Sequence, residues 1–150
     1  MRHAGLGFIV KSQESFAAYA CVMHSTSTRG FVDGWLRAWN SHDLDAIMEH
    51  YANDVIFASP VATQLVPSSN GVIRGKAALR DYWAEGLRKF PDLHFELKET
   101  YVGVGIVVIN YVNKTGALAC EVLEFEGEQV VRGYGTYLFG EDQSGGLSKS

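Results

Sequence analysis

The hydrophobic period of this chain changes at Pro91, and that single change restricts the fold more than any other feature. Before it, apolar residues recur at helical spacing; after it, they alternate. In IRGKAALRDYWAEGLRKF, the residues Leu79, Tyr82, Trp83, Gly86, Leu87 and Phe90 keep one face over three turns. Pro91 then ends the helix, because it has no N–H to give and its ring clashes with the preceding turn. Two shorter helical stripes come first. Phe31, Val32, Trp35, Leu36 and Trp39 predict a helix over 29–39, behind the N-cap-prone STST at 25–28. Leu44, Ile47, Met48 and Tyr51 predict a second, with Asp43 and Asp45 in a first turn where negative charge suits the helix dipole. Between this helix and the long one, 55–59 is a short strand that Pro60 ends, and 61–74 is a long loop with its turn signal at Pro67 to Gly71. Loops of that length often form rims or lids.

Past Pro91, Leu93, Phe95 and Leu97 alternate with His94, Glu96 and Lys98, the pattern of a half-buried strand. The almost uninterrupted apolar run at 106–112 reads as a strand covered on both faces. A turn at 113–116 leads into a strand over 117–126, and the turn at Gly127 into another over 129–139. Helices followed by consecutive antiparallel strands define an α+β fold, its helices on one face of a curved sheet. The 150 residues suit one domain, placed at 28–140. A weakly ordered or short-helical leader at 1–27 precedes it, with Met23 as an alternative start to Met1, and a polar Gly/Ser-rich tail at 141–150 is expected to be flexible.

Several function classes are disfavoured at once. A net charge of −4 without a basic stretch argues against nucleic acid as a partner. No apolar run approaches the roughly 20 residues of a membrane span. The mildly basic, then apolar residues 1–10 are interrupted by KSQES, and no clean cleavage site follows as a signal peptide requires. Cys21 and Cys120 cannot build a disulfide framework and form no CxxC, which fits a reducing, cytoplasmic setting. His42 and His50 lack acidic partners at a ligand spacing, and there is no HExxH, phosphate loop or nucleophile elbow, so no metal and no cofactor is expected.

One charged residue is out of place. Along 117–126, Ala117, Ala119, Glu121, Leu123 and Phe125 share one face, while the other becomes charged at Glu124 and Glu126. Glu121 therefore points with the apolar set, toward the helices. A carboxylate there must be hydrogen-bonded or protonated, and desolvation moves its pKa toward the range useful for proton transfer. A satisfied structural carboxyl remains the alternative. Trp35, Tyr51 and Trp83 on helical stripes, and Tyr111 and Tyr137 on strands, carry polar tips that suit a pocket, although aromatic stripes also simply build cores.

The segments WLRAWNSHDLDAIMEHYANDVIFASP and IRGKAALRDYWAEGLRKFPDLHFEL, with VLEFEGEQVVRGYGTY, resemble the SnoaL-like branch of the nuclear transport factor 2-like superfamily, over about residues 31–139. That resemblance implies a cone-shaped α+β barrel, with three N-terminal helices packed on a curved, mostly antiparallel sheet around an apolar pocket, commonly as a homodimer. It also implies a small apolar ligand. Members include polyketide cyclases, ketosteroid isomerases, scytalone dehydratase and limonene epoxide hydrolase, besides proteins that only bind, so fold alone does not assign function. By the same resemblance, the isomerase base falls at Ser59, its tyrosine at Trp35 and its protonated acid at Glu121, which disfavours isomerase activity of that kind. No Asp–Arg–Asp set of the epoxide-hydrolase type points inward. The cyclases keep an acid–base carboxylate on the strand that carries Glu121. The expected site is thus Glu121 as the catalytic acid–base group, with Trp35, Tyr51, Phe57, Ser59, Trp83, Leu87, Ile109, Tyr111, Leu123 and Tyr137 binding the ligand. Two functions stay open: a cofactor-independent cyclase, isomerase, dehydratase or hydrolase, and a non-catalytic binding or dimeric interaction module.

Overall fold

The computed structural model describes residues 26–140; nearly all of the leader, including the short helix expected at 16–23, and the tail at 141–150 lie outside the described residues. Among the described residues, four helices and six strands follow one another. Helix α1 (Thr26–Asn40) and the single-turn α2 (Leu44–Met48) precede β1 (Tyr51–Ala58). Then come α3 (Pro60–Leu65), a 3-10 turn (Pro67–Ser69), β2 (Val72–Arg74) and α4 (Lys76–Lys89). Four strands follow: β3 (Phe95–Gly103), β4 (Ile106–Asn113), β5 (Leu118–Glu126) and β6 (Gln129–Tyr137). The sheet order is β2-β1-β6-β5-β4-β3, antiparallel except for β1 beside β6. This mostly antiparallel sheet curls against the helices into the expected α+β cone, with α4 laid across β1 and β2.

The core sits between helices and sheet. Trp35, Ile47, Leu79, Ile109, Leu123 and Val130 are almost wholly buried there, drawn from both the 3.6-period and the 2-period parts of the chain. Asn40, the last residue of α1, fastens the two halves: its amide donates to Phe95 O at 2.9 Å and accepts from Phe95 N at 2.8 Å. His42 turns the chain with a left-handed φ of 57° and puts Nε2 2.8 Å from Leu93 O. Together these contacts hold the segment leading into β3 against the end of α1.

Four expectations change in the folded chain. The second helix stops at Met48, and Tyr51 opens β1 instead of closing a helical stripe. A helix of one or two turns is marginal by itself, and here Val130 N donates to His50 O at 2.8 Å, drawing the backbone into the sheet. The loop at 61–74 holds structure of its own: Ser59 caps α3 by accepting from Val61 N at 3.2 Å, with Pro60 in the first turn. Asn70 and Gly71, at φ 51° and 85°, then reverse the chain so that β2 pairs antiparallel with β1. The Ser-Pro pair was the available signal for that extra helix. The run at 106–112 is covered on one face only, since Val107, Ile109 and Tyr111 are buried while Ile106 and its alternates remain partly open. Finally, Phe90 leaves the α4 stripe at the helix end and is 51% exposed.

Candidate functional site

A cavity of about 520 Å³ opens between α4, the start of β3 and the inner face of the sheet. Its walls are aromatic and aliphatic: Trp39, Phe57, Leu65, Trp83, Phe95 and Leu118. Trp83 sets the packing by meeting Phe57 and Trp39 edge-on, at ring-centroid distances of 5.2 and 5.1 Å. The polar groups gather at one end. Glu121 projects from the middle of β5, flanked along the strand by the buried Ala119 and Leu123. The Tyr111 hydroxyl donates to its Oε1 at 3.1 Å from the register of neighbouring β4. Ser59, at the end of β1, and Tyr82, on α4, complete that end with Tyr137 from β6.

Gly135 keeps this end open. A Cβ built there would lie 3.2 Å from Ser59 Oγ and 3.6 Å from Glu121 Oε1, so a side chain would fill the space the two polar groups share. Gly133 meets a harder limit, since its Cβ would come within 2.6 Å of Phe57. These two inward-facing glycines leave room on β6 for Phe57, Ser59 and Glu121.

The electrostatics follow from enclosure. The Glu121 carboxyl looks into the cavity and keeps some accessible surface through it, but is otherwise surrounded by protein. Desolvation raises its pKa to about 7, and the Tyr111 hydrogen bond only partly opposes this. Tyr82 is pushed up to about 12 by burial, with Ser59 opposing and the Glu121 charge reinforcing the rise. Tyr111 and Tyr137 are raised further, again first by burial and then by Glu121. Three phenols therefore stay protonated around one carboxyl that changes charge near neutrality. Among the described residues no group of three His, Cys, Asp or Glu side chains is arranged to hold a metal ion, and no helix is long and apolar enough to cross a membrane.

The residues expected at the site divide in two. Phe57, Ser59, Trp83, Tyr111, Glu121 and Tyr137 line the cavity. Trp35 and Tyr51 do not; they lie behind it, 1% exposed each, with Trp35 Nε1 donating to Tyr51 Oη at 3.2 Å. The bond uses the one donor Trp35 has, and both polar tips lie in the core behind the cavity. Ile109 and Leu123 are completely buried beneath the cavity wall, and Leu87 packs at the edge of the core, one position round α4 from the lining Gly86. Conversely, Tyr82, Trp39 and Phe95 line the cavity without having been expected there. Tyr82 sits beside Trp83 on the same helical stripe, so its signal was present, but periodicity does not separate wall from core.

The profile of the SnoaL-like domain matches residues 32–142. The chain belongs to the SnoaL-like family. Among solved structures, this SnoaL-like protein is similar to a SnoaL-like protein of unknown function from Burkholderia thailandensis. The two are 40% identical with a TM-score of 0.71, over 77% of this chain and 98% of the other. Its fold is shared at 13% identity by a putative polyketide cyclase from Sinorhizobium meliloti, with a TM-score of 0.60 over 75% of this chain and 100% of that one. TerC, co-crystallised with polyporic acid, is likewise a fold relative at 11% identity, with a TM-score of 0.63 over 75% and 92% of the two chains. A search of curated proteins found no match.

Proposed function

We propose that this SnoaL-like protein is a cofactor-independent acid–base enzyme acting on an apolar ring compound that bears a carbonyl or hydroxyl oxygen. The observation that carries the assignment is the Glu121 carboxyl facing the cavity with a pKa raised to about 7. A group that populates both protonation states near neutrality can take a proton and return it within one turnover. Ring carbons lie against Trp83, Phe57 and Phe95, while a ligand oxygen lodged at the Gly135 notch accepts from tyrosine hydroxyls. Where that oxygen is a carbonyl, Glu121 takes a proton from the carbon next to the carbonyl carbon, the C–H electron pair forms the enolate double bond, and the phenols hold the charge that moves onto the oxygen. The fold relationship to a putative polyketide cyclase and to a protein co-crystallised with polyporic acid supports a small-molecule site.

The test is Glu121→Gln, assayed on whichever substrate emerges from a screen of oxygenated polycyclic compounds. Turnover should fall by roughly 10²–10⁴-fold with KM little altered and the circular dichroism unchanged. A Gln variant that turns over at the wild-type rate removes Glu121 from the chemistry. The rival function, a binding module, draws on Ser59 and Trp35 standing where an isomerase has its base and tyrosine. Against it stands a cavity that is open and reaches the carboxyl instead of being sealed by Trp35, Phe57 and Trp83.

The same proposal includes a homodimer in a cytoplasmic setting, the latter resting on cysteine usage alone. Across the outer face of the sheet, Tyr101, Val108, Val122, Tyr134, Ala58 and Val72 stand in register over all six strands. Beside that row the Asn110 amide oxygen is buried without a hydrogen-bond partner among the described residues. A face of this kind suits a two-fold contact in which both copies use the same patch, and about 800 Å² per partner makes such an interface stable. Sedimentation at micromolar concentration should give twice the chain mass; the mass of one chain would rule the dimer out.

A further inference from the structure

The mouth of the cavity differs in charge from its interior. Glu121 is the acid at the closed end, whereas the rim brings Lys89 from the end of α4, His94 from the approach to β3 and Lys114 from the β4–β5 turn. One carboxylate, Asp92, stands among them and pairs with Lys114 at 3.5 Å, with both side chains mostly exposed. The nearby Glu85 is occupied by Arg88, through 2.8 and 2.6 Å contacts. Lys89 has no ion-pair partner among the described residues. On a chain whose net charge is −4, this leaves a local excess of positive charge at the mouth of the cavity.

We propose that the ligand is an amphiphilic anion, an apolar ring system whose oxygen enters first and whose carboxylate stays at the mouth with Lys89 and Lys114. The inference rests on the small-molecule reading of the same cavity and adds the ligand's charge and direction. Both ends of the cavity select that direction. A carboxylate pushed inward would lose its hydration and meet Glu121, and bringing like charges together in an enclosed site is unfavourable. A carboxylate left at the rim keeps water on one side and gains two ammonium groups on the other. The exposed Asp92–Lys114 pair is weak, so Lys114 can exchange its partner for a ligand at little cost. The exposed Phe90 and Leu138, which also line the cavity, cover the part of the ring system that emerges.

The experiment compares 2-naphthoate with 2-naphthamide, which have nearly the same shape and differ in charge, by isothermal titration of the full chain at neutral pH. Two partly exposed charges should favour the acid by about fivefold at low salt. That preference should shrink at high salt and disappear in a Lys89→Gln/Lys114→Gln double variant that still binds the amide normally. Equal binding of the two probes by the wild type overturns the charge assignment and leaves the small-molecule cavity standing. A preference that survives in the double variant overturns the role of these two lysines. If neither probe binds, the cavity reading and the inference fail together.

Discussion

Trp35→Ala should lower the unfolding free energy by about 3–5 kcal/mol, the largest loss expected from any single substitution in this chain. Trp35 is 1% exposed, stacks on Phe95 with ring centroids 5.8 Å apart, and also touches Trp39 and Tyr111. Removing it leaves a void enclosed by groups that cannot collapse together, because α1 is held to β3 through Asn40. It also strips the buried Tyr51 hydroxyl of its 3.2 Å partner. Trp35→Phe separates the two effects: most of the volume returns, and the remaining cost should be about 1–2 kcal/mol for the lost hydrogen bond. Urea unfolding gives both values. An alanine variant within 1 kcal/mol of the wild type, roughly the scale of one hydrogen bond, would mean that Trp35 is no part of a packed core.

Glu121→Gln should make the protein more stable at alkaline pH while changing little in acid. The native pKa of about 7 stands above the ordinary 4.5, so the folded state holds the Glu121 proton more tightly than the unfolded chain does. Its contribution is fully present below pH 4.5 and is lost as pH rises toward 7 and just beyond. A shift of that size corresponds to at most about 3 kcal/mol, reduced in practice because the carboxyl keeps some contact with solvent through the cavity. Glutamine cannot ionise, so its stability curve should lack this decline. Subtracting the two curves cancels groups common to both proteins, including His50, whose pKa is lowered mainly by burial. Parallel curves from pH 4.5 to 8 would show that Glu121 is already an ordinary solvated carboxylate.

The same residue explains why part of the site was legible. Side-chain direction in a strand has a period of two, so the parity of Ala119, Glu121 and Leu123 placed the carboxyl inward without any knowledge of the partner strands. The helical period did the same for Trp83 and the face of α4. Parity was less secure where a bulge intervenes, as between Leu97 and Glu99 or between Glu124 and Phe125. What periodicity lacks is depth. Trp35 and Trp83 look alike as aromatic residues on apolar stripes, yet one is sealed in the core by Tyr51 and the other faces a cavity. The difference arises where elements distant in sequence meet.

The sequence by itself determined the succession of the principal helices and the four strands after Pro91, the inward face of β5 and the presence of one carboxyl among apolar residues. Those are local properties, set by side-chain spacing and by the stops at Pro60 and Pro91. Only the tertiary structure decided that Glu121, Tyr111, Tyr137, Tyr82 and Ser59 converge, since they come from five elements joined by non-local pairing and packing. It also decided the carboxyl's proton affinity and the opposite charge of the mouth. Desolvation depends on every atom that surrounds a group, wherever in the chain those atoms originate.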